Sequence, residues 1–385
     1  MYDFDKVVER AGTASVKYDM RHEIFGKADV LPMWVADMDF ETPECIRKAV
    51  MERASHPVYG YSFMPDTYFE AFMGWVKRRH DWNIKKDWIV FSPGIVTAIN
   101  AAVLSFTNPG DGVIVQPPVY FPFFDSVKNN GRKLLYNQLV YDGTTYSIDF
   151  DDFEQKAKKA KLMLISSPHN PVSRCWTKEE LKRIGEICLK NNVVILSDEI
   201  HADIILSGSK HFPLASLSEA LAEITVTCMA PSKTFNVAGL FTSQIVISSN
   251  KLRNRFKKTM ESFHLVHGNL FGIVASEAGY AHGDAWVDAL IKYIEANFNL
   301  VGNFLKTELP QLSLVKPEAT FLAWIDYTAT GLSDSKMRKK MVDKASVGLN
   351  PGRIFGNGGS GFMRMNVGTP KSNVIEALER MRKVF

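Results

Sequence analysis

Side chains able to do chemistry recur at one kind of place in this sequence, just past a short apolar run. Residues 88–92 (WIVFS) lead into Pro93, Gly94, Ile95 and Val96, and residues 112–116 (GVIVQ) into a proline pair, Val119 and Tyr120. Residues 162–166 (LMLIS) lead into Ser167, Pro168, His169, Asn170 and Pro171; 193–197 (VVILS) into Asp198, Glu199, Ile200 and His201; 225–229 (TVTCM) into Ala230, Pro231, Ser232 and Lys233. A lysine can bond covalently to a carbonyl, a carboxylate can hold a proton on a ring nitrogen, and the open first turn of a helix can hold a phosphate. Each residue alone has a plainer reading. A lysine is usually a solvated charge, an Asp after a strand usually serves a turn or a helix cap, and a tyrosine usually packs.

The elements that would position these groups follow from the same runs. Each is about five residues long and almost wholly apolar, as is a further run at 244–248 (QIVIS), which predicts strands buried on both faces of a parallel sheet. Amphipathic stretches between them predict covering helices. At 177–191, Thr177 and Glu180 have capping-box spacing, and Leu181, Ile184, Ile187 and Cys188 share a face. Ligands bind beyond the carboxyl ends of strands in such sheets, so one edge should collect a helix terminus, an aromatic ring, an amide, a carboxylate and an amine. Together these are what pyridoxal phosphate requires.

The segments also carry a resemblance. Residues 232–240 (SKTFNVAGL) resemble the cofactor-lysine motif of fold-type I pyridoxal-phosphate enzymes, the class I/II aminotransferase superfamily, and 167–171 (SPHNP) and 197–203 (SDEIHAD) resemble its other two signatures. Residues 34–40 (WVADMDF) and 362–368 (FMRMNVG) are similar to the MalY/PatB subgroup, the cystathionine β-lyase and cysteine-S-conjugate β-lyase branch. The resemblance spans nearly the whole chain. It implies an α/β fold, with a large cofactor-binding domain at 46–284 and a small domain formed by 1–45 and 285–385. It further implies Lys233 as the cofactor lysine and general base, Asp198 at the pyridine nitrogen, Asn170 at the ring hydroxyl and Tyr120 on the ring face. Ile95, Val96 and Ser232 are expected at the phosphate, with His201 near the ring. Arg364 would grip the substrate carboxylate, with Trp34, Val35 and Ala36 lining the substrate pocket. Tyr61 would reach the phosphate of the neighbouring subunit in a homodimer. Two departures from the aminotransferase pattern, Phe241 in place of a basic phosphate contact and His201 in place of a tyrosine, favour a carbon–sulfur lyase and leave an aminotransferase as the alternative.

Composition narrows the remaining classes. The 385 residues are 46% hydrophobic and 23% charged, which excludes a disordered chain, and the net charge of +4 is spread too thinly for a nucleic-acid binder. The longest apolar stretch, 94–106, is interrupted by Thr97, Asn100 and Ser105, so no membrane span is expected, and the acidic opening residues are unlike a secretory signal. A cytoplasmic enzyme is the expectation. Cys45, Cys175, Cys188 and Cys228 lack CxxC spacing and are expected as buried free thiols. Residues 356–361 (GNGGSG) match a dinucleotide fingerprint but precede a strand-like run, and so predict a flexible loop. Ser207 and Lys210 fit S-x-x-K without its partner motifs, and His264 and His267 lack a second ligand cluster, so neither a serine hydrolase nor a metal site is expected. A non-catalytic relative would have no need of Lys233, Asp198, Asn170 and Arg364 together.

Overall fold

The computed structural model describes residues 2–385. Seven strands form the larger sheet: β1 (Ile89–Ser92), β2 (Gly112–Val115), β3 (Lys133–Tyr136), β4 (Ala160–Ser166), β5 (Val194–Asp198), β6 (Thr225–Met229) and β7 (Ser243–Val246). Their spatial order is β1-β7-β6-β5-β4-β2-β3. Strands β3, β2, β4, β5 and β6 pair in parallel, whereas β7 runs antiparallel to both β6 and β1. The sheet is therefore mixed rather than uniformly parallel. Residues 230–242, which join β6 to β7, form the lysine turn and a loop instead of a helix that could cross the sheet face. Strand β3 carried no apolar run because it is an edge strand with Lys133 and Tyr136 exposed.

Six helices matter for the site: α1 (Asp66–His80), α2 (Ile95–Phe106), α3 (Lys178–Lys190), α4 (Pro231–Thr234), α5 (Leu270–His282) and α6 (Asp284–Glu308). The expected capping box opens α3: Thr177 Oγ1 accepts the Glu180 N–H at 3.1 Å and Glu180 Oε2 accepts the Thr177 N–H at 2.7 Å. Leu181, Ile184 and Cys188 are buried beneath it. Ile99, Val103 and Phe106 of α2 pack with Val113, Leu164, Leu196 and Ile245 of the sheet. Burying side chains of this size stabilises the fold by about 1.5–3 kcal/mol each.

A second, antiparallel sheet is made of β8 (Ser313–Leu314), β9 (Leu322–Asp326), β10 (Asn350–Pro351) and β11 (Phe362–Asn366), in the order β8-β9-β11-β10. Arg364 sits opposite Trp324 on one side and Asn350 on the other. Near the other end of the chain, Leu31–Pro32 pairs in parallel with Val347–Gly348 in a separate two-stranded sheet, which ties the N-terminal segment to the residues just before β10. Segment 1–45, which offered few helical signals, contains two short helices, Val16–Asp19 and Arg21–Phe25.

Two local expectations are corrected. The glycine-rich run before β11 is a loop but a closely packed one: a Cβ added at Gly352 would lie 2.0 Å from the Gly359 carbonyl oxygen. All four cysteines are free, yet Cys45 is only half-buried, because it lies on a helix that is exposed along one face. No helix among the described residues is long and apolar enough to cross a membrane.

Candidate active site

The carboxyl ends of β1, β2, β4, β5 and β6 meet at a cavity of about 270 Å³. Ile95, Val96, Tyr120, Asn170, Asp198, His201, Ser232 and Lys233 all line it, together with Ala36 from the N-terminal segment. Strand order brings Ile95 and Lys233, 138 residues apart (233 − 95), to one place, and the N-terminal segment adds Ala36, 197 residues from Lys233.

Lys233 is carried by α4, a single turn with Pro231 at its first position, where the missing N–H costs nothing. Its Nζ donates to the Ala36 carbonyl at 2.6 Å. Burial lowers the lysine pKa to about 8, with the charge of Arg364 acting in the same direction and Asp37 and Asp198 opposing it. Asp198 ends β5, between Ser166 of β4 and Cys228 of β6, and its Oδ1 accepts the Ile200 N–H at 3.2 Å. Burial raises this carboxyl to about 7 despite that bond, and the neighbouring Glu199 adds to the effect. Burial likewise lowers His201 to about 3, helped by the charges of Lys233 and Arg364, so its ring is neutral. Its Nδ1 is buried without a partner.

At the opposite wall, α2 begins at Ile95 with Gly94 as its N-cap and no capping side chain. The uncapped end presents positive dipole and backbone N–H groups beside the Ser232 hydroxyl, which suits an anion. Phe241 lines the mouth and is largely exposed.

Arg364 lies behind Asn170, with its Nη1 donating to Asn170 Oδ1 at 2.9 Å and its Nη2 to Asn350 Oδ1 at 2.7 Å and the Trp34 carbonyl at 3.0 Å. Burial lowers it to about 10, and its Nε is left without a partner. The guanidinium carbon sits 4.9 Å from the centre of the Phe355 ring. A planar fork held in this way is shaped for a carboxylate.

Of the residues expected at the site, four do not line the cavity: Arg364, which reaches it only through Asn170, and three others. Trp34 contributes its carbonyl but not its ring: the indole packs edge-on against Phe25 and donates to the Lys17 carbonyl, because the apolar side of this segment faces Phe25, Val30 and Val342. Val35 does not line the cavity, and its carbonyl accepts from Asn366 Nδ2 at 2.6 Å. Tyr61 is fully exposed and outside the cavity of its own chain.

Sequence reasoning missed the residues that hold segment 34–40 across the site. Asn366 also donates to the Asp37 carbonyl, while Asn236 bonds to the backbone of Met38 and Phe40. Asp39 is buried between Lys17 Nζ and Arg10 Nη1, each 2.6 Å away. The signal was available for the two asparagines, since they lie three residues after Lys233 and two after Arg364, within motifs already singled out.

A mostly parallel sheet with an amine, a carboxylate and an uncapped helix end at its carboxyl edge is the architecture of fold-type I enzymes. The chain belongs to the family described as aminotransferase class I and II, whose model matches residues 28–381. It is 47% identical over 382 residues to cystathionine beta-lyase PatB of Bacillus subtilis (strain 168), covering 99% of each chain. Among solved structures it is similar to cystalysin from Treponema denticola, which contains a pyridoxal 5'-phosphate cofactor, at 38% identity and a TM-score of 0.97 over 100% of this chain and 98% of that one. It is also similar to the PLP-bound C-S lyase from Staphylococcus hominis, at 33% identity and a TM-score of 0.92 with the same coverage.

Proposed function

We propose that the protein is a pyridoxal-phosphate-dependent carbon–sulfur β-lyase that acts on cysteine conjugates such as L-cystathionine and releases a thiol, pyruvate and ammonia. The observation that carries this reading is the convergence of Lys233, Asp198 and Asn170 on one cavity with an uncapped helix end, with Arg364 bonded to Asn170 behind the cavity wall. The donor set fits the cofactor: a buried amine, a carboxylate whose burial raises its pKa despite the nearby Lys233 charge, an orphaned His201 nitrogen and an uncapped helix end are each costly until a ligand answers them.

When bound, pyridoxal phosphate supplies an electron sink for the charge left at a substrate's α-carbon. Lys233 would anchor the cofactor covalently, release it to the substrate's amine and, with its Nζ free again and neutral, take the α-proton, a role that a lysine near pKa 8 can fill. Asp198 would hold a proton at the ring nitrogen. Asn170 would donate its amide to the ring hydroxyl, Tyr120 would cover a ring face, and Ile95, Val96 and Ser232 would hold the phosphate. Arg364 would fix the substrate carboxylate and so orient the α-carbon toward Lys233. With the proton lost from Cα, the Cβ–S bond breaks and the thiolate leaves; water converts the remaining fragment to pyruvate and ammonia.

The proposal includes a division into a large domain, 46–284, and a small one from 1–45 and 285–385. The larger sheet lies between Ile89 and Val246, and the smaller between Ser313 and Asn366, which supports that division. It also includes a homodimer. Val58, Tyr59, Tyr61 and Phe63 form an exposed apolar run, and Val96 and Phe241 expose apolar surface at the cavity mouth. A second copy covering this face would let Tyr61 complete its partner's phosphate site. A cytoplasmic location is supported by the four free thiols.

The test is pyruvate release from L-cystathionine by the cofactor-loaded protein with no 2-oxo acid added. Sustained release is expected. Amino-group transfer that requires a 2-oxo acid would instead make the protein an aminotransferase.

A further inference from the structure

Behind Lys233, on the side away from the cavity, lies a buried carboxylate that the reaction does not use. Asp203 follows Asp198 by five residues on the same connection out of β5. Its Oδ2 accepts the Thr234 hydroxyl at 2.6 Å, and its Oδ1 accepts Trp75 Nε1 at 3.0 Å and His80 Nε2 at 2.9 Å. Thr234 is the residue after Lys233. Trp75 and His80 both come from α1, and the Trp75 ring packs edge-on against Phe235, with centroids 5.2 Å apart.

Helix α4 is only four residues long, too short to fix its own orientation. What fixes it is external. Phe235 fills a slot with no spare room: a Cβ added at Gly279 would lie 2.8 Å from its ring, and one at Gly283 would lie 2.4 Å away. Thr234 is bolted by its hydroxyl to Asp203. A carboxylate so deeply buried is costly unless its oxygens are satisfied, and three donors satisfy this one. Burial alone would raise the Asp203 carboxyl, but the bonds from His80, Thr234 and Trp75 outweigh it and hold it below the usual range.

We infer that Asp203 is a positioning residue that ties the lysine turn, through the Thr234 hydroxyl, to the connection that leaves β5 at Asp198, so that the spacing of amine and ring-nitrogen partner is set before the cofactor arrives. The inference rests on reading Lys233 as the cofactor lysine. It explains why a short turn can present a reactive amine reproducibly: Thr234 faces inward to Asp203 and α1, while Lys233 faces the cavity. Small misplacements at a reacting centre cost large factors in rate.

The test compares Thr234→Val, which removes only the hydroxyl, with Thr234→Ser, which restores it, and with Asp203→Asn. Three quantities are measured on each purified protein: the visible circular dichroism of the bound cofactor, the rate at which the apoprotein regains visible absorbance when pyridoxal phosphate is added, and kcat and KM for L-cystathionine. For Thr234→Val and Asp203→Asn we expect an altered dichroic band, slower cofactor uptake and a kcat lowered roughly tenfold or more, with KM changed less than threefold. Thr234→Ser should recover most of both signals. A Thr234→Val protein with wild-type dichroism and kcat, or a Thr234→Ser protein as impaired as Thr234→Val, would overturn the inference. If Asp203→Asn does not fold, the Val/Ser pair decides alone. Lys233→Ala separates the underlying reading: if that variant keeps the wild-type absorbance, the lysine assignment fails, whatever Thr234 does.

Discussion

Asn170 Oδ1 accepts a 2.9 Å hydrogen bond from Arg364 Nη1, which joins the amide read as the contact of the cofactor's ring hydroxyl to the guanidinium read as the substrate's anchor. On the proposed roles one group would meet cofactor and the other substrate, yet they form a single buried unit. The amide uses its oxygen on Arg364, leaving its N–H groups for the ring hydroxyl, which fixes the orientation of the side chain.

That pairing makes Asn170→Asp more damaging than Asn170→Ala. An aspartate would form a buried ion pair with Arg364 and compete with the substrate's carboxylate for the same fork. The KM for the amino acid should rise by roughly tenfold with alanine and by considerably more with aspartate, since losing a charge-assisted hydrogen bond costs about 1.5–3 kcal/mol. Steady-state kinetics on the two variants test this; equal KM values would show that Arg364 is not the anchor.

The depressed pKa of Lys233 predicts a pH dependence for cofactor uptake. Only the neutral amine can attack a carbonyl, so uptake by the apoprotein should rise about tenfold per pH unit below about 8 and level off above it. The same shift affects stability. Between about 8 and the ordinary lysine value of 10.5 the unfolded chain binds the extra proton, so this group makes the apoprotein gain stability as pH rises through that window, with the penalty complete below it. Lys233→Met should abolish both dependences. Stopped-flow absorbance and thermal melts across pH 6.5 to 10.5 would reveal either failure.

Asn366 holds the carbonyls of Val35 and Asp37 at 2.6 and 2.5 Å. Replacing it with alanine leaves both without their donor, at a cost of roughly 1–3 kcal/mol, and frees the segment that places the carbonyls of Trp34 and Ala36 on Arg364 and Lys233. We expect a lowered melting temperature and faster proteolytic cleavage within residues 30–42. Cleavage confined to other loops, at the wild-type rate, would mean that the Arg10–Asp39–Lys17 cluster alone secures the segment.

If Tyr61 serves the partner's site, two inactive variants should complement each other. Lys233→Ala and Tyr61→Ala, unfolded together and refolded as an equal mixture, form mixed dimers in which one of two sites has both native residues, giving roughly a quarter of wild-type activity. Activity no greater than that of the Tyr61→Ala parent would place Tyr61 outside the partner's site.

Much of this site could be read from the sequence, because its reactive groups sit at strand ends and strands of a buried sheet announce themselves as apolar runs. The run 225–229 coincides with β6, and Thr177 and Glu180 announced the start of α3. Strand β3 was silent because this edge strand is exposed at Lys133 and Tyr136 and only half-buried between them, and nothing in 244–248 distinguished antiparallel β7 from its parallel neighbours, since both are equally buried.

The sequence by itself determined which chemistry is present: the order of strands and reactive residues, the helix opening at Ile95, and the identities of Lys233, Asp198, Asn170 and Arg364. Tertiary structure alone decided which of them touch. That Arg364 meets Asn170, that Asn350 steadies it from the neighbouring strand, that Trp34 turns its ring away and offers its carbonyl, and that Asp203 grips the residue beside Lys233 all depend on contacts between segments far apart in the chain. No local pattern encodes them, because hydrogen-bond geometry across such separations is set by how sheets and helices pack, and packing is a property of the whole fold.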